Sequence, residues 1–90
     1  MGTKTTWVMN STPRQLIEIL NQQLSEIENW QLFSVENGKK ELTDNLTEAR
    51  IFFQETLNAV TNRKRMTSRR RNEIRLTMKH YLRLVMVELY

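Results

Sequence analysis

Leu42, Leu46, Ala49, Phe53, Leu57 and Val60, with Thr56 beside Leu57, recur at three- and four-residue steps for almost three heptads. Such spacing gathers every member onto one face of an α-helix, whereas a strand would scatter the row over both faces of its pleat. The row, widened by Phe52, predicts a helix over 39–62. Glu41, Asp44 and Glu48 fall in its first half, and Arg63, Lys64 and Arg65 stand at its end. That is the charge order a helix dipole favours.

A second helix is predicted over 12–32. Thr12 and Gln15 have the spacing of a capping box, in which the threonine hydroxyl accepts from the backbone three residues on and the glutamine reaches back. Pro13 occupies the first helical position, where its missing N–H costs nothing. Behind it Leu16, Ile17, Leu20, Leu24 and Ile27, then Trp30 or Gln31, keep one face apolar, while Glu18, Gln22 and Glu26 lie opposite on a solvated face. Phe33 to Lys40, which holds the Asn37-Gly38 turn dipeptide, reads as the connection between the two helices and is long for a helix-turn-helix.

A third helix is predicted over 68–89, with Ile74, Met78, Tyr81, Leu82, Val85 and Leu89 in one core-facing arc. The competing assignment for Tyr81 to Tyr90 is a strand, which would need Thr5 to Met9 as its partner. No Gly or Pro separates Thr61 from Arg71, so helices two and three fused into one rod is the alternative to a hairpin. Residues 1–11 carry little pattern and read as an N-terminal tail, with Trp7, Val8 and Met9 folding back onto the bundle. The expected fold is all-α: a three-helix bundle in one domain over 12–90, its helices antiparallel in sequence order.

The 90 residues suffice for one thin core, and 39% hydrophobic content at helical spacing sets the chain apart from disordered sequences. Cysteine is absent, which removes disulfides and thiolate chemistry and fits a reducing compartment. No apolar run nears the ~18 residues of a membrane span, so an intracellular protein is expected, cytoplasmic or, in a eukaryotic or viral setting, nuclear. His80 is the sole histidine and has no acidic or cysteine companions at metal-ligand spacing. No enzyme activity and no cofactor are expected.

Charge is distributed unevenly. Residues 1–62 hold five Lys or Arg against eight Asp or Glu, net −3, whereas residues 63–90 hold nine against two, net +7. Arg63, Lys64 and Arg65 suit a helix end, but Arg69, Arg70 and Arg71 would fall in the first turn of the third helix, where the dipole opposes them by ~0.3–1 kcal/mol each. Arg71, Arg75, Lys79 and Arg83 then continue at four-residue steps, a spacing at which like charges repel by ~0.2–0.5 kcal/mol per pair. Helix stability does not ask for this track, which at 1.5 Å per residue runs for roughly 18 Å. Phosphates would.

The expectation is therefore a small protein that binds nucleic acid through Arg63, Lys64, Arg65, Arg69, Arg70, Arg71, Arg75, Lys79 and Arg83, in a regulatory or structural role. Duplex backbone is favoured over single strand because few aromatic residues lie among the arginines. Leu76, His80, Leu84 and Val87 fall roughly opposite the core arc and give the third helix a second apolar face. A homodimer or a partner groove would cover it. The alternative function is thus a protein-interaction module, an adaptor, inhibitor or assembly component, that meets an acidic protein surface.

Overall fold

The computed structural model describes Val8 and residues 10–89, the last of these for its backbone alone. Three long helices make up the fold: α1 (Pro13–Glu36), α2 (Lys40–Thr61) and α3 (Ser68–Leu89). No strand occurs among the described residues, so Tyr81 to Leu89 is helical rather than extended. None of these helices is long and apolar enough to cross a membrane.

Each start and stop has a local cause. At the head of α1 the Gln15 N–H donates to Thr12 Oγ1 at 3.2 Å while the Thr12 N–H donates to Gln15 Oε1 at 3.0 Å, which completes the capping box. The helix runs to Glu36, one turn beyond the expected 32. Its stop lies at Asn37-Gly38, where the Gly38 N–H donates to the Val35 carbonyl and the Lys39 N–H to the Ser34 carbonyl, with Gly38 at φ 67°. These two bonds form a Schellman termination, and the positive φ is why glycine stands there. The connection is therefore three residues, not the eight of Phe33–Lys40, and a turn of this length does not by itself argue against a helix-turn-helix.

Packing distinguishes the two arrangements. Ser34 Oγ lies 2.7 Å from Thr43 Oγ1, and Gln31 Nε2 donates to Thr47 Oγ1 at 3.1 Å, so successive turns of α1 and α2 meet as the chain doubles back. This is an antiparallel hairpin. Lys39 at the start of α2 pairs with Glu88 at the end of α3 at 3.2 Å, which makes α3 antiparallel to α2 in turn. Between Asn62 and Thr67 the chain leaves helical geometry, so α2 and α3 are separate helices and not one rod.

The core is built from Leu16, Leu20 and Ile27 of α1, Leu42, Leu46, Ala49, Phe53 and Val60 of α2, and Ile74, Met78, Tyr81 and Val85 of α3, with Val8 buried beside them. Each fully buried aliphatic or aromatic side chain contributes ~1.5–3 kcal/mol relative to exposure. Val8 thus folds back as expected, while Trp7, Met9 and the Leu89 side chain lie outside the described residues. On α2, Thr56 is buried and Leu57 only partly so; the Thr56 hydroxyl is satisfied by the Phe52 carbonyl at 2.8 Å. Leu24 and Leu82 pack at the margin.

Among the described residues no buried side-chain nitrogen or oxygen lacks a hydrogen-bond partner. Gln23, 2% exposed, sits on the apolar stripe of α1, and its Oε1 accepts from the Tyr81 hydroxyl of α3. Burial, with the Glu26 carboxylate as a lesser contribution, pushes the Tyr81 phenol well above its ordinary pKa. Glu26 is accordingly half-buried near this pair rather than on a plain solvated face. The Phe53 ring meets Tyr81 edge-on at 6.1 Å, joining α2 to the same cluster.

Candidate nucleic-acid interface

The end of the bundle where α2 stops and α3 begins collects six of the chain's 14 Lys and Arg side chains. α2 closes with a second Schellman pair: the Arg63 N–H donates to the Val60 carbonyl and the Lys64 N–H to the Ala59 carbonyl, both at 3.0 Å. The residue held in the left-handed region is Arg63, at φ 59°. That bend turns Arg63, Lys64 and Arg65 out of the helix, and all three side chains are exposed. With Arg71 they rim a cleft of about 350 Å³ whose floor includes Leu16, Val60 and Met66.

Thr67 restarts the chain as a helix. Its Oγ1 accepts from the Arg70 N–H at 3.1 Å, and its carbonyl accepts from the Arg71 N–H at 3.0 Å. Thr67 is thus the cap, and Arg69, Arg70 and Arg71 occupy the first turn of α3 as the sequence suggested. Their dispositions differ sharply. Arg69 is 92% exposed and approaches Glu73 at 3.8 Å, while Arg70 approaches the same carboxylate at 3.6 Å and lies over the Phe52 ring at 5.6 Å. One carboxylate shared by two guanidinium groups leaves a net positive charge at this turn.

Arg71 faces inward. One guanidinium nitrogen donates to the Val8 carbonyl at 2.8 Å, the Ser11 carbonyl at 2.8 Å and Ser11 Oγ at 3.2 Å, so this side chain binds the segment before α1 to the start of α3. Its presence in a first helical turn thereby has a structural reason that the sequence does not show. Arg75 is also partly buried and is held by Asn72 Oδ1 at 2.8 and 3.2 Å. Lys79 and Arg83 remain exposed further along α3. The linear track of the sequence is thus divided into an exposed group at the bundle end, two arginines engaged within the fold, and two cations farther down.

The second apolar face is real in part. Leu76 and Val87 are 49% and 66% exposed and His80 is exposed, while Leu84 is half-buried against the core. Leu76 and His80 border a groove of about 400 Å³ between α2 and α3, opposite Glu48 and Phe52. Among the described residues no group of three or more His, Cys, Asp or Glu side chains is placed to hold a metal ion. No protein-family model, curated protein or solved structure matches this chain.

Proposed function

We propose that this protein binds nucleic acid through the phosphate backbone, with the duplex as the favoured form and a regulatory or structural role. The observation that carries this reading is the convergence of exposed Arg63, Lys64, Arg65, Arg69 and Arg70 on one end of the bundle, around a turn whose positive φ directs three of them outward. Guanidinium forks match phosphate oxygens bidentately, and the first amides of α3 lie in the same place. Lys79 and Arg83 extend the reading down α3, whereas Arg71 supports it by tying the segment before α1 to α3, and Arg75 is held by Asn72 of its own helix.

The test is fluorescence anisotropy of a labelled random duplex titrated at several salt concentrations. Binding that falls with log salt by about 0.9 per phosphate neutralised is expected, and changing Arg63, Lys64 and Arg65 together to Gln removes about three phosphates' worth of that slope. Equal binding by the variant, or none by the parent at low salt, would turn attention to the second reading, a protein-interaction module. That reading has its own support in the exposed Leu76 and Val87 on the basic helix.

A further inference from the structure

The cleft at the basic end of the bundle has two kinds of wall. Four of its eight lining residues are cations, and four are apolar: Pro13 and Leu16 from the start of α1, Val60 from the end of α2, and Met66 from the link to α3. None carries a carboxylate. Bonds at three corners fix its shape, namely the Thr12–Gln15 capping box beside Pro13, the Schellman pair that ends α2, and the Arg71 guanidinium on the Val8 and Ser11 carbonyls. Met66 is only partly buried, so its unbranched side chain keeps one side free for a ligand. At about 350 Å³ the cleft is near the small end of ligand sites, which run from ~300 to ~1,000 Å³. It has room for one ring system and not for a helix.

A regular duplex meets only half of this arrangement. Its phosphates suit the exposed Arg63, Lys64 and Arg65 at the rim, but its stacked and paired bases offer nothing to Val60 and Met66 behind them. The occupant that satisfies both walls is negative at the rim and uncharged, with a flat apolar body, within. We propose that the cleft takes the base of one unpaired nucleotide, at the end of a duplex or bulged from it, while the rim cations hold the phosphates beside it. The inference rests on the phosphate-binding reading and names the form of nucleic acid that this site selects. Leaving the stack costs least for a base that has no pairing partner, which makes an unpaired nucleotide the occupant and not one flipped out of a pair. No aromatic ring lines the cleft, so the base is held by aliphatic contact and a longer single strand gains no stacking platform. Arg71 lends its charge to the wall from a position fixed by Val8 and Ser11.

Fluorescence anisotropy of the intact chain with DNA hairpins, each closed at its far end, tests this. The open end is blunt, carries a one-nucleotide 3′ or 5′ overhang, or carries the same overhang without its base. One of the two overhangs is expected to bind about tenfold more tightly than the blunt end, the scale of burying one apolar group. Removing its base should return the affinity to the blunt value. Met66→Ser, verified as folded by circular dichroism, should abolish the difference between overhang and blunt end. A 2-aminopurine overhang provides a readout that needs no variant, since its fluorescence should rise severalfold as the base leaves the end of the stack for an aliphatic cleft. The inference is overturned by a baseless overhang that binds as tightly as the complete one, which would assign the preference to the added phosphate; by unchanged 2-aminopurine fluorescence; or by a folded Met66→Ser that keeps the preference. Salt-dependent binding that is equal for blunt and overhanging ends also overturns it and leaves the phosphate-binding reading standing, whereas no binding of any hairpin at low salt overturns both.

Discussion

Gly38 and Arg63 hold the same position in two successive helix endings. Each is the left-handed residue of a Schellman pair, at φ 67° and 59°, and each turns the chain back into an antiparallel neighbour. At Gly38 a Cβ would meet no atom within 4 Å, so glycine is required there by backbone conformation and not by space. Arg63 accepts the same conformation with a side chain, at a cost of about 1 kcal/mol.

Arg63→Gly is therefore expected to raise stability by about 0.5–1 kcal/mol, the relief of strain being partly offset by the greater freedom of glycine in the unfolded chain. Gly38→Ala should lower it by a similar amount. Urea unfolding of both variants checks the pair. If Arg63 contacts phosphate as proposed, Arg63→Gly also weakens duplex binding, so stability and affinity move in opposite directions. Unchanged affinity would mean that Arg63 serves only as a helix end.

Arg71 predicts the opposite pattern. Its guanidinium joins the Val8 and Ser11 carbonyls to α3, and removing it strands partly buried acceptors. Arg71→Ala should cost about 2–3 kcal/mol, the range for charge-assisted bonds plus the desolvation of the groups left behind. Limited proteolysis should then cleave near residues 8–11 more readily. Measured on folded protein, the salt slope of duplex binding should fall much less than in the variant lacking Arg63, Lys64 and Arg65; an equal fall would place Arg71 on phosphate after all.

The contrast between these two arginines marks the reach of the sequence. Periodicity located the core face of each helix, and Thr12, Pro13 and Gln15 fixed the start of α1 because capping is a local interaction between near neighbours. The end of α1 was displaced by a turn because Asn37-Gly38 fits a loop dipeptide as readily as a helix stop, and only the bonds to Ser34 and Val35 decide between them. Arg63 gave no signal, since nothing local announces a left-handed arginine. Arg71 looked like one more member of a row at four-residue steps; its partners are 60 and 63 residues away in a segment without pattern. Gln23 falls on the apolar stripe between Leu20 and Ile27, but a glutamine there makes sense only once Tyr81 is opposite. In each case the missing information was a tertiary contact.

The Gln23–Tyr81 pair should behave as a coupled unit. Tyr81→Phe leaves the buried Gln23 carbonyl oxygen without its donor, and Gln23→Leu leaves the phenol without its acceptor. Each change alone is expected to cost about 1–3 kcal/mol, while the double variant, with both polar groups gone, costs less than the sum of the two. A double-mutant cycle by urea denaturation measures the coupling, and strict additivity would mean that the hydroxyl finds another partner.

The same pair sets the response to alkali. Burial, with the Glu26 charge adding to it, raises the Tyr81 pKa in the folded state, whereas an unfolded tyrosine ionises near pH 10. The fold thus holds its phenolic proton more tightly than the unfolded chain does. Stability from this group is complete below about pH 10 and is lost as pH rises from there towards the higher folded value, because the unfolded state gains by releasing a proton that the native state must keep. The unfolding midpoint in urea should fall on going from about pH 9 to about pH 11. In Tyr81→Phe, which starts from lower stability, that alkaline decline should be shallower, since the group responsible is absent. A parallel decline in both proteins would assign the alkaline sensitivity to the lysines and the remaining tyrosine instead.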